Sequence, residues 1–197
     1  MGGEDETTIR AGVGRAISSR HQRPKSGLTL LELIISATIL TIGLGGIVST
    51  LLTSLALNVT NRESRLAKLA AESTIERIRG TTFSSVFATF NANPADDPGG
   101  AGTAPGSNFA VQGLAPQAGD PDGFAGEILY PGDGSALREN VVDLPLGMSR
   151  DLNGDGVVDA ANHAGDYVVL PLRVRIRWRG KTGNRQTEYV TTLVNRQ

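Results

Sequence analysis

The chain has 197 residues, of which 39% are apolar and 5% aromatic, and its formal net charge at pH 7 is −1. These values allow one domain with an appendage, and they do not mark a nucleic-acid-binding or disordered protein. The absence of cysteine excludes disulfides and thiolate metal sites, and two histidines leave little material for histidine-based catalysis or a multi-histidine metal site.

A long apolar run begins near residue 28. No charged side chain occurs from Leu33 to Asn61, which is longer than the roughly 20 residues that a membrane-spanning helix needs. Buried helices of globular proteins seldom run so far without a polar face. An ordinary secretory signal fits poorly, because the run is too long and no small-residue cleavage site closes it. We therefore predict a transmembrane segment over residues 28–57.

The charges on either side of this run predict its direction. After the run, Arg62 and Glu63 carry opposite charges. Before it, every charged side chain between residues 7 and 27 is basic. The positive-inside rule then predicts a single-pass protein with a cytoplasmic N-terminus and an extracytoplasmic head. The basic residues are Arg10, Arg15, Arg20, Arg23 and Lys25.

The letters "GLTLLE", Gly27–Glu32, join the basic segment to the apolar run. They resemble the class III signal of type IV prepilins and type II secretion pseudopilins, although Leu28 stands where that family usually has phenylalanine. The resemblance implies that a prepilin peptidase removes residues 1–27 as a leader, cutting after Gly27, and then methylates the α-amine of Leu28. It also implies a bacterial inner-membrane location before assembly into a pilus or a periplasmic pseudopilus.

Glu32 is the acidic residue of this motif. A lone carboxylate at membrane depth is unfavourable unless it is paired. In the family its partner is the methylated α-amine of a neighbouring subunit, here that of Leu28, so that docking into a filament neutralises both charges. The alternative is a carboxylate that only snorkels to the cytoplasmic interface. The implied partners are the prepilin peptidase, other pilins or pseudopilins, an inner-membrane assembly platform and membrane lipid.

The implied fold class is α+β and pilin-like: a long N-terminal transmembrane helix packed under a small antiparallel β-sheet. Residues 58–80 continue the helix as an amphipathic second half, for which Gly80 is a natural end. Residues 81–126 are rich in Gly and Pro and are predicted to be a loop region. Residues 127–197 are predicted to form the sheet head.

Strand signals occur at Glu127–Tyr130, Asn140–Leu144, Asp166–Gly180 and Arg185–Val194, and the last two predict a terminal hairpin. In the third of these segments apolar residues alternate with four arginines, which predicts one core face and one charged solvent face that Glu188 can pair with. We do not predict nucleic-acid binding by this row. The arginines are Arg173, Arg175, Arg177 and Arg179.

The segment "DLNGDGVVDAAN", residues 151–162, matches the first half of a calcium loop. Asn162 stands at the twelfth position, where a bidentate glutamate is usual, so Asp166 must substitute for it or the affinity must be low. The alternative is a tight turn, because Asn-Gly-Asp-Gly is itself turn chemistry. The candidate Ca²⁺ ligands are Asp151, Asn153, Asp155, the carbonyl of Val157, Asp159, Asn162 and Asp166.

Two functions remain open from the sequence. The first is a structural subunit, a minor pilin or pseudopilin, of a type IV pilus-like or type II secretion filament. The second is a signal-anchored extracytoplasmic calcium-binding module that does not polymerise. Catalytic motifs do not support an enzyme, because "GKT" at Gly180–Thr182 joins two predicted strands and lacks the first glycine of a phosphate-binding loop.

Overall fold

The computed structural model describes residues 27–195, and these residues divide into two compact units at Ile47 and Val48. The predicted leader, residues 1–27, lies outside the described residues except for Gly27. The fold class is α+β, as predicted: one long helix and a four-stranded antiparallel sheet. The elements are α1 (Leu30–Arg79), α2 (Val86–Phe90), β1 (Asn108–Phe109), β2 (Gly126–Leu129), β3 (Val169–Gly180) and β4 (Gly183–Val194).

The described part of the first unit is the start of α1. Thr29 caps this helix, because its hydroxyl accepts the backbone N–H of Glu32 at 3.2 Å. Every residue from 27 to 47 is exposed, although most of the side chains are apolar. The helix is long and apolar enough to cross a membrane, and none of its most apolar 18-residue window is buried inside the protein.

Threonines within the apolar run satisfy their own polar groups. The hydroxyls of Thr38 and Thr41 donate to the carbonyls of Ile34 and Ala37, both at 2.8 Å. Such bonds to the preceding turn remove the need for water partners, so these side chains are compatible with a hydrocarbon environment.

The second unit, from Val48 onward, contains the rest of α1 and the head. The helix buries one stripe, formed by Ala67, Ala71, Thr74 and Ile78, whose spacing of three and four residues follows the α-helical period. It ends at Arg79, and Gly80 donates its N–H to the Glu76 carbonyl at 2.9 Å. The buried stripe belongs to the same hydrophobic core as the inner face of the sheet.

The sheet has the order β1-β2-β3-β4, and every neighbouring pair is antiparallel. β3 and β4 are strands of twelve residues each and form a hairpin, closed at the Gly180–Gly183 pair by the two residues between them. Gly183 adopts a φ of 123°, which is accessible to glycine and strained for other residues. The inner face of β3 is buried as its period of two predicts; it consists of Leu170, Leu172, Val174, Ile176 and Trp178.

Residues 81–126 contribute more to the head than a plain loop would. The segment holds α2, whose side chains Val86, Phe87 and Phe90 are buried, and it supplies the short edge strand β1. The Phe87 ring packs edge-on against Tyr130 with ring centroids 5.1 Å apart. Gly and Pro mark the turns here, while a few aromatic side chains anchor the segment in the core.

The strand predicted at Asn140–Leu144 is wrong. The structure has a short 3-10 helix at Leu144–Leu146 and one isolated bridge between Asp143 and Met148. The physical reason is local, because a proline lies inside the helical turn and Gly147 at its end adopts a left-handed φ of 69°.

Three of the four arginines of β3 have carboxylate partners within the head. Arg175 contacts Glu127 at 2.6 Å, and Arg177 contacts Asp120 at 3.4 Å. Arg173 lies between two carboxylates, those of Asp143 at 3.2 Å and Glu188 at 3.4 Å. These contacts link β3 to the adjacent strands and to the loop segments beside the sheet.

Candidate functional sites: the N-terminal motif and the loop before β3

The peptide bond between Gly27 and Leu28 precedes the helix. Both residues are exposed and lie outside regular structure. A Cβ atom added to Gly27 would meet nothing within 4 Å, so packing in this chain does not require glycine at that position. The bond has the exposed, irregular backbone that a peptidase needs in a substrate.

Glu32 lies in the first turn of α1, with its side chain exposed. Thr29 and Glu32 have the spacing of a capping box, in which a hydroxyl caps the N–H three residues later. A carboxylate in the first turn also interacts favourably with the helix dipole. The structure therefore gives Glu32 a local role in the start of the helix, beside the assembly role that the sequence predicts.

Asp151 organises the loop before β3. Its two carboxylate oxygens accept the N–H groups of Gly154 at 2.5 Å and Gly156 at 2.8 Å. Both glycines have positive φ, 82° and 85°, so the loop closes tightly around this carboxylate. The hydrogen bonds from Gly156 and Gly154 hold the pKa of Asp151 below its ordinary value.

One of the predicted Ca²⁺ ligands, Asn153, contacts two others through its side chain. The Asn153 amide nitrogen donates to Asp155 at 3.1 Å and to Asp166 at 3.3 Å. Asp166, eleven positions after Asp155 in the chain, thus lies beside Asn153 in the fold. Asp155 also accepts the Val157 N–H at 2.8 Å, which orients the peptide group between Gly156 and Val157.

Asp159 and Asn162 have different partners. The Asn162 side-chain oxygen accepts the N–H groups of Leu137 at 3.0 Å and Ala164 at 3.1 Å. The Asp159 carboxylate accepts the Ala161 N–H at 2.7 Å and lies 3.1 Å from His163 Nε2. Asn162 thus binds backbone donors, whereas Asp159 contacts His163, which Asp166 contacts from the other side of the ring.

Glu139 is a central residue that the sequence analysis did not identify. It is completely buried, and one carboxylate oxygen accepts the N–H of Leu152 at 2.6 Å and of Asn153 at 3.2 Å. The other oxygen accepts the Asp159 N–H at 3.3 Å. A single glutamate thereby holds the loop of residues 151–162, the Asp-rich loop, by backbone groups near both of its ends. No local pattern in the sequence distinguishes it, because all these contacts span 13 to 20 residues.

His163 is 5% exposed and lies between acidic side chains. Burial opposes its protonation, but hydrogen bonds to Asp159 and Asp166 and the charge of Glu139 outweigh burial and raise the pKa of His163 above 6.5. The protonated ring therefore stabilises the folded state. That contribution is fully present below the unfolded pKa of 6.5 and is lost as the pH rises through the folded pKa.

One known sequence family matches the N-terminal part of the chain. Residues 22–48 match the family described as the prokaryotic N-terminal methylation motif. The match includes Gly27, Leu28 and Glu32 together with the first part of α1. No curated protein and no solved structure matches the chain.

Proposed function

Because residues 22–48 carry the class III signal of type IV pilins and pseudopilins, we propose that this protein is a structural subunit, a minor pilin or pseudopilin, of a type IV pilus-like or type II secretion filament. It is inserted in the bacterial inner membrane with its N-terminus in the cytoplasm. A prepilin peptidase cleaves it after Gly27 and methylates Leu28. The motif family is structural rather than enzymatic, and we assign no catalytic residue.

The observation that carries this proposal is the match to the methylation motif at the start of a single, exposed, apolar helix. A signal anchor alone explains the apolar length. The glycine with a carboxylate five residues later supports a further step, in which the new N-terminus becomes part of an assembly contact. Other filament subunits and an assembly platform in the membrane are the partners that this step needs.

We propose that polymerisation uses the pairing of Glu32 with the α-amine of Leu28 of a neighbouring subunit. The pairing is favourable in the filament because two charges that are each costly in a low-dielectric environment neutralise one another. The exposed apolar side chains of α1 then pack against other helices instead of lipid. Small residues within the run, among them Gly43, Gly45 and Gly46, have no neighbouring atoms where a Cβ would lie and allow close helix approach.

Processing is the experiment that tests this function. The full chain is co-expressed with a prepilin peptidase, and the product is analysed by intact mass and N-terminal sequencing. We expect loss of residues 1–27 and a methylated Leu28. Gly27→Ala blocks cleavage, and it does so without disturbing the fold, because nothing lies within 4 Å of the added Cβ.

The control for processing is Gly80→Ala, a glycine-to-alanine change at the other end of α1, which is cleaved as efficiently as the wild type. A mature N-terminus elsewhere, particularly near Asn58, would show that the chain has an ordinary signal and would overturn the filament proposal. It would leave a non-polymerising extracytoplasmic module as the function, which stays anchored only where the apolar run is retained.

Calcium binding by the head is the second candidate function. It is favoured by the position of Asp166, whose carboxylate lies 3.3 Å from the Asn153 amide, next to Asp155. Rotating the Asn153 amide by 180° would direct its oxygen toward the carboxylates of Asp155 and Asp166. Together with the Val157 carbonyl, these atoms would form a group of oxygen ligands of the type that Ca²⁺ prefers. Bound Ca²⁺ would then stabilise a head that has no disulfide.

A further inference from the structure

A group of possible metal ligands overlaps the calcium-type loop at Asp159 and adds a histidine and a buried glutamate. Within residues 27–195, one set of three His, Asp or Glu side chains has ligand atoms that all lie within 4.8 Å of one another: Glu139, Asp159 and His163. His163 Nε2 is 3.1 Å from Asp159 Oδ1 and 3.8 Å from Glu139 Oε2. On the other side of the ring, Nδ1 is 3.2 Å from Asp166 Oδ1.

We propose that Glu139, Asp159 and His163 bind a divalent transition-metal ion of the zinc class, and that Asp166 positions the His163 ring for it. This site shares Asp159 and Asp166 with the calcium candidate but differs from it in ligand chemistry, because its nitrogen ligand and the buried Glu139 have no place in the loop pattern of residues 151–162. It goes beyond the filament function and does not depend on it.

The spacing of the ligand atoms fits a four-coordinate ion. Tetrahedral zinc at 2.0–2.1 Å from nitrogen and oxygen places neighbouring ligand atoms about 3.3–3.4 Å apart. The separations from His163 Nε2, 3.1 Å and 3.8 Å, lie on either side of that value. Asp159 has a side chain that is 44% exposed, which leaves a path for the ion and a position for a water ligand.

The orientation of His163 favours a cation at Nε2. When Nδ1–H donates to Asp166, neutral His163 directs the lone pair of Nε2 toward two carboxylates. That arrangement is repulsive unless a proton or a metal ion lies between them. Metal-binding histidines commonly donate the other ring N–H to a carboxylate, which fixes the tautomer and the ring, and Asp166 has this position here.

The excess of negative charge around His163 also favours a bound cation. Three carboxylates, those of Glu139, Asp159 and Asp166, surround one imidazole, so a protonated ring balances only one of the three charges. Glu139 is completely buried, where an excess of negative charge is unfavourable. A divalent ion adds the missing positive charge, and imidazole nitrogen selects zinc-class ions over Ca²⁺, which prefers oxygen ligands in larger number.

The bound ion would join separate parts of the chain. Glu139 holds Leu152 and Asn153 by their backbone N–H groups, and His163 donates its own backbone N–H to the Leu137 carbonyl at 2.9 Å. An ion shared by Glu139, Asp159 and His163 would therefore tie the Asp-rich loop to the segment beneath it. In a chain without cysteine this is the kind of cross-link that zinc supplies.

The first test uses the wild-type full chain in detergent, freed of metal by chelator and then dialysed. Zn²⁺ is added as ZnCl₂ and followed by NMR of ¹⁵N-labelled histidine, with His21 as the internal reference. We expect one equivalent of Zn²⁺ to shift the Nε2 signal of His163 to a metal-bound position and to leave His21 unchanged. Unchanged His163 signals at several equivalents of Zn²⁺ would overturn the proposal.

Variants then identify the ligands by calorimetric titration with ZnCl₂. His163→Gln keeps a polar side chain of similar reach and should lose measurable binding, whereas Asp166→Asn should weaken it about 10–100-fold, as expected of a positioning residue. Asp151→Ala, which removes the first ligand of the calcium-type loop, should bind Zn²⁺ like the wild type. Loss of Zn²⁺ binding in Asp151→Ala together with wild-type binding in His163→Gln would show that the ion binds the calcium-type ligands around Asp151. That result would refute the proposed site.

Discussion

At the scale of single residues, Glu32 has two physical roles to separate. Thr29 and Glu32 form the start of α1, where a first-turn carboxylate favours the helix. The same carboxylate is the proposed partner of the Leu28 amine in a filament. A first-turn carboxylate gains about 0.3–1 kcal/mol from the helix dipole, whereas an unpaired charge at membrane depth costs up to about 3 kcal/mol. The proposed assembly role would therefore be the larger effect.

We predict that Glu32→Val inserts and is cleaved like the wild type but enters filaments at least about tenfold less efficiently, since 1.4 kcal/mol corresponds to that factor. Incorporation is measured by co-expression with the other filament subunits and quantification in sheared filaments. Glu32→Gln, which keeps the size and hydrogen-bonding capacity without the charge, should fail in the same way. Thr29→Ala is the matched control, because it weakens the cap and leaves the carboxylate, and it should assemble. Normal assembly of Glu32→Val would reduce Glu32 to a helix-start residue.

At the scale of elements, the loop before β3 is closed by hydrogen bonds to carboxylates before any ion is considered. Asp151 accepts two glycine N–H groups, and Glu139 accepts three N–H groups from beneath. A loop already held in this shape loses little entropy when it binds an ion. Extracellular calcium modules have dissociation constants of about 10⁻⁴–10⁻³ M, so a weak site is sufficient outside the cytoplasm.

We predict that the protein melts at a higher temperature in millimolar Ca²⁺ than in EGTA. At ten times the dissociation constant the gain is about 1.4 kcal/mol by mass action. Asp151→Ala should abolish the difference between the two conditions while far-UV circular dichroism still shows the sheet. The matched control is Asp133→Ala, because Asp133 closes another exposed turn by accepting the N–H groups of Ser135 and Ala136. Equal melting of wild type and Asp151→Ala in both conditions would identify the loop as a turn only.

At the scale of the whole molecule, the chain combines an exposed apolar helix segment with a head that has its own core. That core includes side chains from the second half of α1, from α2 and from the sheet. Small domains with a core of this kind have a net free energy of unfolding of about 5–15 kcal/mol. The head therefore contains the interactions needed to fold when the apolar run is removed.

We predict that a fragment beginning at residue 58 is soluble and unfolds cooperatively in urea. Phe87→Ala in this fragment should lower the free energy of unfolding by about 3–5 kcal/mol, because Phe87 is completely buried in the core. Phe124→Ala, at a phenylalanine that is 42% exposed, should change it by less than about 1 kcal/mol. An insoluble or non-cooperative fragment would show that the head depends on the preceding helix segment.

The sequence by itself determined the features whose signal is local. Three of these features depend on contiguous residues: the apolar run by its length, the glycine and glutamate of the motif by their spacing, and the β3–β4 hairpin by its alternation of period two. The same is true of Asp151 and its turn glycines. These features follow from the chemistry of a few neighbouring residues, which is why the fold class and the N-terminal methylation motif could be predicted.

Only the tertiary structure decided which distant polar groups meet. Glu139 is an ordinary residue in the sequence and the centre of the Asp-rich loop in the fold, through bonds to residues 13 to 20 positions away. Asp159 looks like a calcium ligand by spacing, yet it faces His163. Arg175 pairs with Glu127, 48 positions away. Such contacts depend on how the chain closes around its core, and a buried carboxylate takes whichever donors that closure brings within hydrogen-bonding distance.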